Sequence, residues 1–183
     1  MGTESLQIKT ILLAEDHMRD VELTLGALEE HNLANRVVVV DNGAEALDYL
    51  YYRAKYKMRG GGDPILVLLD LKMPKVSGLE VLKIIKADEH LKLIPVVVLS
   101  SSRETPDLAE CYQLGVNAYV VKPVDFGEFM KAVKQVGIFW AAINEPPPGA
   151  PRQLNGAAND QRVHLGSAEI KKKSEPGDQE PRR

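Results

Sequence analysis

Five short apolar runs divide the first 143 residues, near 9–14, 35–40, 65–69, 96–99 and 118–121. Thr10-Ile-Leu-Leu-Ala14, Ile65-Leu-Val-Leu-Leu69 and Val96-Val-Val-Leu99 are almost unbroken. Asn35-Arg-Val-Val-Val-Val40 and Tyr119-Val-Val121 are shorter and β-branched. Strands that alternate apolar and polar residues face water on one side. Unbroken runs of this kind belong to strands covered on both faces, as in a parallel sheet. The segments between them are amphipathic and carry helix-start signals. Asn42 with Glu45, Ser77 with Glu80 and Asp125 with Glu128 have the spacing of a capping box. Thr105-Pro106 reads as an N-cap followed by proline at the first helical position. Asp48-Tyr-Leu-Tyr-Tyr-Arg53 predicts a long second helix, with Tyr49, Tyr51, Tyr52 and Tyr56 spread over two of its faces. In the last segment Phe126, Phe129, Met130, Val133, Val136, Trp140 and Ile143 recur at intervals of three and four, giving one apolar face.

Strand and helix thus alternate five times, which predicts an α/β fold: a doubly wound five-stranded parallel sheet of order 2-1-3-4-5. The strand endings carry the chemistry. The first run ends in Glu15-Asp16, the third in Asp70, the fourth in Ser100 and the fifth in Lys122-Pro123. In a parallel sheet all of these meet at one edge. Strands 1 and 3 flank the point where the strand order reverses, which is where open α/β sheets bind ligands. Two carboxylates about 4 Å apart repel by roughly 4 kcal/mol at an effective dielectric near 20. Three clustered acids therefore need a cation or a proton. Mg²⁺ suits them, because it takes one or two carboxylates, keeps waters and bridges to phosphate. A carboxylate is also a nucleophile able to form an aspartyl-phosphate. Phosphoryl transfer asks a protein mainly to position groups and neutralise charge. Lys122 and Ser100 offer an ammonium and a hydroxyl for phosphoryl oxygens.

Taken in order, four motifs make the chain resemble a receiver domain of two-component response regulators, over residues 8–143. They are Leu12-Leu-Ala-Glu-Asp16, Leu68-Leu-Asp-Leu-Lys-Met-Pro74 with Gly78, Val98-Leu-Ser100, and Tyr119-Val-Val-Lys-Pro123. The resemblance implies a flavodoxin-like (βα)₅ fold in which Asp70 accepts a phosphoryl group from a histidine kinase. It implies that Glu15, Asp16, Asp70 and the Lys72 backbone carbonyl hold Mg²⁺, and that Lys122 contacts the phosphoryl group. Ser100 and Tyr119 would be the switch residues, and Pro123 would follow a cis peptide bond. The Tyr-rich stretch 48–53, Val116–Val124 and the ending Trp140…Asn144…Pro146-Pro-Pro148 are similar to the small regulators paired with phytochrome-type sensor kinases. Two rivals fit less well. Aspartate-nucleophile phosphatases usually place a second Asp two residues after the nucleophile, and here that position is Lys72. A pseudo-receiver, acting as a phosphorylation-independent interaction module, usually lacks one of the acids or the lysine, and both are present.

Composition narrows the setting. The 183 residues carry 23 basic and 26 acidic side chains, a net charge of −3, which leaves no nucleic-acid footprint. Cys111 is the single cysteine, which excludes an intrachain disulfide and suits a reducing compartment. Without a signal-peptide pattern or a long apolar segment, the expected location is the cytoplasm, away from membranes. From Asn144 to Arg183 the chain holds six of its eleven prolines and is read as a disordered tail of about 40 residues, too short for an effector domain. Output is therefore expected through an unknown downstream protein partner. Phe139, Trp140 and Ile143 extend the last apolar face beyond a minimal domain and predict a homodimer interface. His17 reads as a surface histidine, and Gly60-Gly-Gly62 as a connector, since no Gly-Lys-Ser/Thr follows it.

Overall fold

The computed structural model describes residues 10–29, 33, 37–60, 62–101, 105–122 and 125–145. Strands β1 (Ile11–Ala14), β2 (Val37–Val40), β3 (Leu66–Leu69), β4 (Val96–Ser100) and β5 (Ala118–Val121) alternate with five helices. The helices are α1 (Met18–Glu29), α2 (Gly43–Leu50), α3 (Gly78–Ala87), α4 (Thr105–Gln113) and α5 (Phe126–Ile138). All pairings are parallel and the order is β2-β1-β3-β4-β5, as the apolar runs predict. Ala14 lies level with both Val40 and Leu69, so the acidic ends of β1 and β3 emerge side by side.

Each central strand feeds two cores, because successive side chains point to opposite faces. Leu12, Val67, Leu69, Val96 and Val98 join a cluster with Ala46, Tyr49, Val81, Leu82, Ile85 and Cys111 of α2, α3 and α4. Ile11, Leu13, Leu66, Leu68, Val97 and Leu99 join one with Val21, Leu28, Phe129 and Val133 of α1 and α5. A fully buried Leu or Val contributes about 1.5–3 kcal/mol, so this double use of the strands anchors the sheet. The capping signals operate as expected. Ser77 and Glu80 form a reciprocal capping box, and Asn42 and Asp125 each accept from the backbone N–H three residues on. Thr105 is the first residue of α4 rather than the residue before it, a shift of one position.

The second helix is shorter than the tyrosine pattern predicts. It stops at Leu50 with Tyr51 as its cap, and Tyr52 turns into the left-handed region at φ 56°. A 3₁₀ turn, Ala54–Tyr56, follows. The tyrosines are thus not two faces of one helix. Arg59 stacks over the rings of Tyr49 and Tyr52, at 4.0 and 3.6 Å from their centroids. Tyr51 donates instead to Asp88, and Tyr56 to Glu45. The four rings are thereby held by Arg59, Asp88 and Glu45. At the last helix, Phe129 and Val133 are buried, Trp140 is half-buried, and Phe139 and Ile143 are exposed on a closing π-helical turn.

At the amino edge of the sheet, Lys86 of α3 holds the strand beginnings together. Its Nζ donates to the Ile94 carbonyl and to Asn117 Oδ1, each at 3.0 Å, while Asn117 Oδ1 also accepts from Val96 N. Burial among these neutral acceptors pulls the Lys86 amine down from 10.5 to about 8. Among the described residues no helix is long and apolar enough to cross a membrane. Pro123, the expected cis position, and the expected tail beyond Glu145 lie outside the described residues.

Candidate functional site

The carboxyl edge is held in place by backbone bonds that carry the sheet one residue past its strands. Glu15 N donates to Val40 O, Asp70 N to Ala14 O, and Lys122 N to Ser100 O, at 2.8–3.0 Å. Three charged side chains are thereby fixed at one level on three different strands. Glu15 and Asp70 are buried, at 2% and 5% exposure, which no carboxylate tolerates without compensation.

Compensation comes from Lys122. Its Nζ lies 2.6 Å from Glu15 Oε2, 2.7 Å from Asp20 Oδ2 and 3.0 Å from Asp70 Oδ1. Burial alone would lower the pKa of this amine. The hydrogen bonds to Asp20 and Glu15 and the charge of Asp70 outweigh that, and the pKa is raised. Glu15 shows the opposite balance: burial pushes its carboxyl above the ordinary 4.5 despite the Lys122 hydrogen bond. Three carboxylates share one ammonium, so the pocket keeps an excess of negative charge.

The other oxygen of Asp70, Oδ2, accepts from Lys72 N at 2.7 Å, orienting the carboxylate within the β3–α3 loop. That loop is pressed closely against the strand end. Gly78 N donates to Leu71 O at 3.0 Å, and a Cβ at Gly78 would stand 1.9 Å from the Asp70 carbonyl oxygen. A Cβ at Gly43 would stand 2.1 Å from the Val76 carbonyl oxygen of the same loop. Both glycines are required by close backbone approach.

Ser100 is fully buried at the end of β4, and Tyr119 is half-buried against the α2–α4 core. The two stand on adjacent strands, with Val98 opposite Tyr119 and Ser100 opposite Val121. Asp16 is more exposed than Glu15 and Asp70. Its Oδ1 faces His17 Nδ1 at 2.9 Å, and the Asp16 charge raises the pKa of that imidazole. Among the described residues, the ligand atoms lying within 4.8 Å of one another come from Glu15, Asp16 and His17, while Asp70 is engaged by Lys122. Sequence reasoning missed Asp20. An acid in the first turn of a helix reads as a dipole partner; its bond to Lys122 spans 102 residues and leaves no local pattern.

The donors suit a hard divalent cation: carboxylate oxygens converge here, and an ammonium already occupies part of their charge field.

Comparison with known proteins shows the family and the fold. The family model described as response regulator receiver domain matches residues 11–134. Response regulator Rcp1 from Synechocystis sp. is 36% identical over 140 residues, covering 76% of this chain and 94% of its own. Its Mn²⁺-bound crystal structure superposes with a TM-score of 0.70 at 34% identity, covering 76% of this chain and 99% of that one. The phosphorylated cyanobacterial phytochrome response regulator RcpA gives a TM-score of 0.71 at 40% identity, covering 76% and 98%. The bacteriophytochrome response regulator AtBRR is 60% identical with a TM-score of 0.61, covering 75% and 98%.

Proposed function

We propose, since the chain belongs to the response regulator receiver domain family, that Asp70 is the residue on which it takes up phosphate. Receiver domains are phosphoacceptor switches of two-component signalling, they bind a divalent metal, and their phosphodonors are histidine kinases. One observation carries the assignment to Asp70. Asp70 is a buried carboxylate at the end of the central strand β3, oriented by the Lys72 N–H and touched by the Lys122 ammonium; Glu15 shares burial and the lysine, and what sets Asp70 apart is its place in the motif over residues 68–74 within the matched receiver domain.

In this reading an Asp70 oxygen attacks the phosphorus of a phosphohistidine. The P–N bond breaks, and the imidazole nitrogen leaves with the electron pair. Glu15, Asp16, Asp70 and the Lys72 carbonyl would hold Mg²⁺, which when bound neutralises charge on the transferring group. The new group adds about −1.5 to −2 charge. Lys122 then exchanges part of its carboxylate shell for a phosphoryl oxygen, and the Ser100 hydroxyl donates to another. Tyr119 rotates into the space that Ser100 leaves. The face formed by α4, β5 and α5 changes shape and shifts an existing two-state equilibrium. Beyond its own phosphorylation and dephosphorylation the protein catalyses nothing, and its output passes to a downstream protein partner.

The likeness to RcpA and AtBRR supports a phytochrome-type kinase as partner, and membership of the receiver family supports a cytoplasmic setting. Residues 8–143 form the receiver, with 144–183 as an appended tail. The exposed Phe139 and Ile143, with Trp140 edge-on to Phe139 at 5.0 Å, support a homodimer through this end of α5. Light scattering across a concentration series should show mass doubling, and Ile143→Asp should abolish the doubling. Phosphotransfer from a cognate kinase tests the central assignment. Asp70→Asn should take up no phosphate, and retained labelling would refute it.

A further inference from the structure

We propose that Lys86 is an acylation site, at which a donor of the acyl phosphate class caps the amine and unfastens the starts of β4 and β5. The Lys86 Nζ reaches from the end of α3 to three oxygens. These are the Ile94 carbonyl and Asn117 Oδ1, each at 3.0 Å, and the Lys92 carbonyl at 3.4 Å. All three are neutral. The nearest carboxylate along the chain, Asp88, is engaged elsewhere. Its Oδ2 accepts from the Tyr51 hydroxyl, and its Oδ1 accepts from the His90 and Leu91 N–H groups. Ile94 is buried, whereas Lys92 and Asn117 are exposed and Lys86 is half-buried. The amine therefore stands at the rim of the sheet, within reach of a small reagent.

The same surroundings make the amine reactive and its bonds consequential. A buried lysine that faces no carboxylate gives up its proton readily, and Lys86 loses it near pH 8 rather than 10.5. At pH 8 about half of this amine is neutral, against roughly 0.4% of an ordinary lysine side chain. The neutral form keeps two N–H groups for the two acceptors at 3.0 Å and gains a lone pair. That lone pair attacks the carbonyl carbon of the acyl phosphate. A C–N bond forms, the C–O bond to the phosphate breaks, phosphate leaves with the electron pair, and an Nζ proton passes to water. The resulting amide has a single N–H and no charge, so one of its close acceptors loses its donor. Asn117 Oδ1 also accepts from Val96 N at the start of β4, and Asn117 N donates to Val96 O. Acylation thus acts on the amide pair that joins the starts of β4 and β5.

The test treats the full chain with acetyl phosphate at pH 8, with no added divalent metal. Peptide mass spectrometry should show Lys86 acetylated about tenfold faster than the exposed Lys83 and Lys131. An acetyl group on nitrogen and a phosphoryl group on Asp70 differ in mass, so the reading of Asp70 does not enter. In the acetylated chain the Val96 amide should exchange with deuterium about tenfold faster. The Asp70 amide, bonded to Ala14 O at the opposite edge, should keep its rate. Lys86→Gln, which is neutral, should speed Val96 exchange with no acetyl phosphate present. Acetylation of Lys86 no faster than that of Lys83, or unchanged Val96 exchange in either altered chain, would overturn the inference.

Discussion

Lys122 and Lys86 close opposite edges of the same sheet, and burial acts on both. At the carboxyl edge Lys122 meets three carboxylates, and their pull raises its pKa over the burial penalty. At the amino edge Lys86 meets carbonyl oxygens, and burial lowers its pKa to about 8. The chemistry of the acceptors, not depth, sets the direction. It also sets what each lysine can do. Lys122 has more anionic partners than it can neutralise, so it can transfer to a new anion while others wait. The acceptors of Lys86 are ends of the scaffold itself, so moving it would release the strand starts.

The contrast can be broken one residue at a time. Lys122→Met would leave Glu15 and Asp70 buried without their cation. Urea unfolding at pH 7 should show a loss of about 3–5 kcal/mol; an unchanged midpoint would mean the acids need no cation. Lys86→Met removes donors from neutral oxygens and strands no charge, so the loss should be about 1–2 kcal/mol. Its pH dependence has a definite sign. The folded pKa of about 8 lies below the unfolded 10.5, so between those values the unfolded chain binds more protons. Wild-type stability should therefore rise relative to Lys86→Met as pH increases from about 8 to 10.5, read from paired urea midpoints. Asp20→Asn should have the smallest effect, under about 1 kcal/mol, because Asp20 is partly solvated and Glu15 and Asp70 still hold the lysine.

The sheet was legible because its central strands β1, β3 and β4 are buried on both faces and spell that burial as unbroken aliphatic runs. Asp70 and Lys122 were legible because strand ends put chemistry at a known edge. What stayed hidden depends on partners distant in the chain. Asp20 resembles any first-turn acid until β5 brings Lys122 to it. The end of α2 was misread because Tyr51 and Tyr52 continue a helical pattern. No glycine or proline marks the break, and Arg59, which stacks on the Tyr49 and Tyr52 rings, lies beyond it in the chain. His17 reads as a surface histidine beside the acid pair and is one, its side chain 69% exposed against Asp16.

The two glycines wedged against the β3–α3 loop carry no functional group, yet each fills a space that admits no side chain. A saturation-mutagenesis map scored by signalling would mark positions 43 and 78 as intolerant as position 70. Mutational sensitivity would then trace the outline of this loop more faithfully than it would trace the chemistry. Reading the reactive residue from such a map would require a second screen, scored for folding, to subtract the glycines.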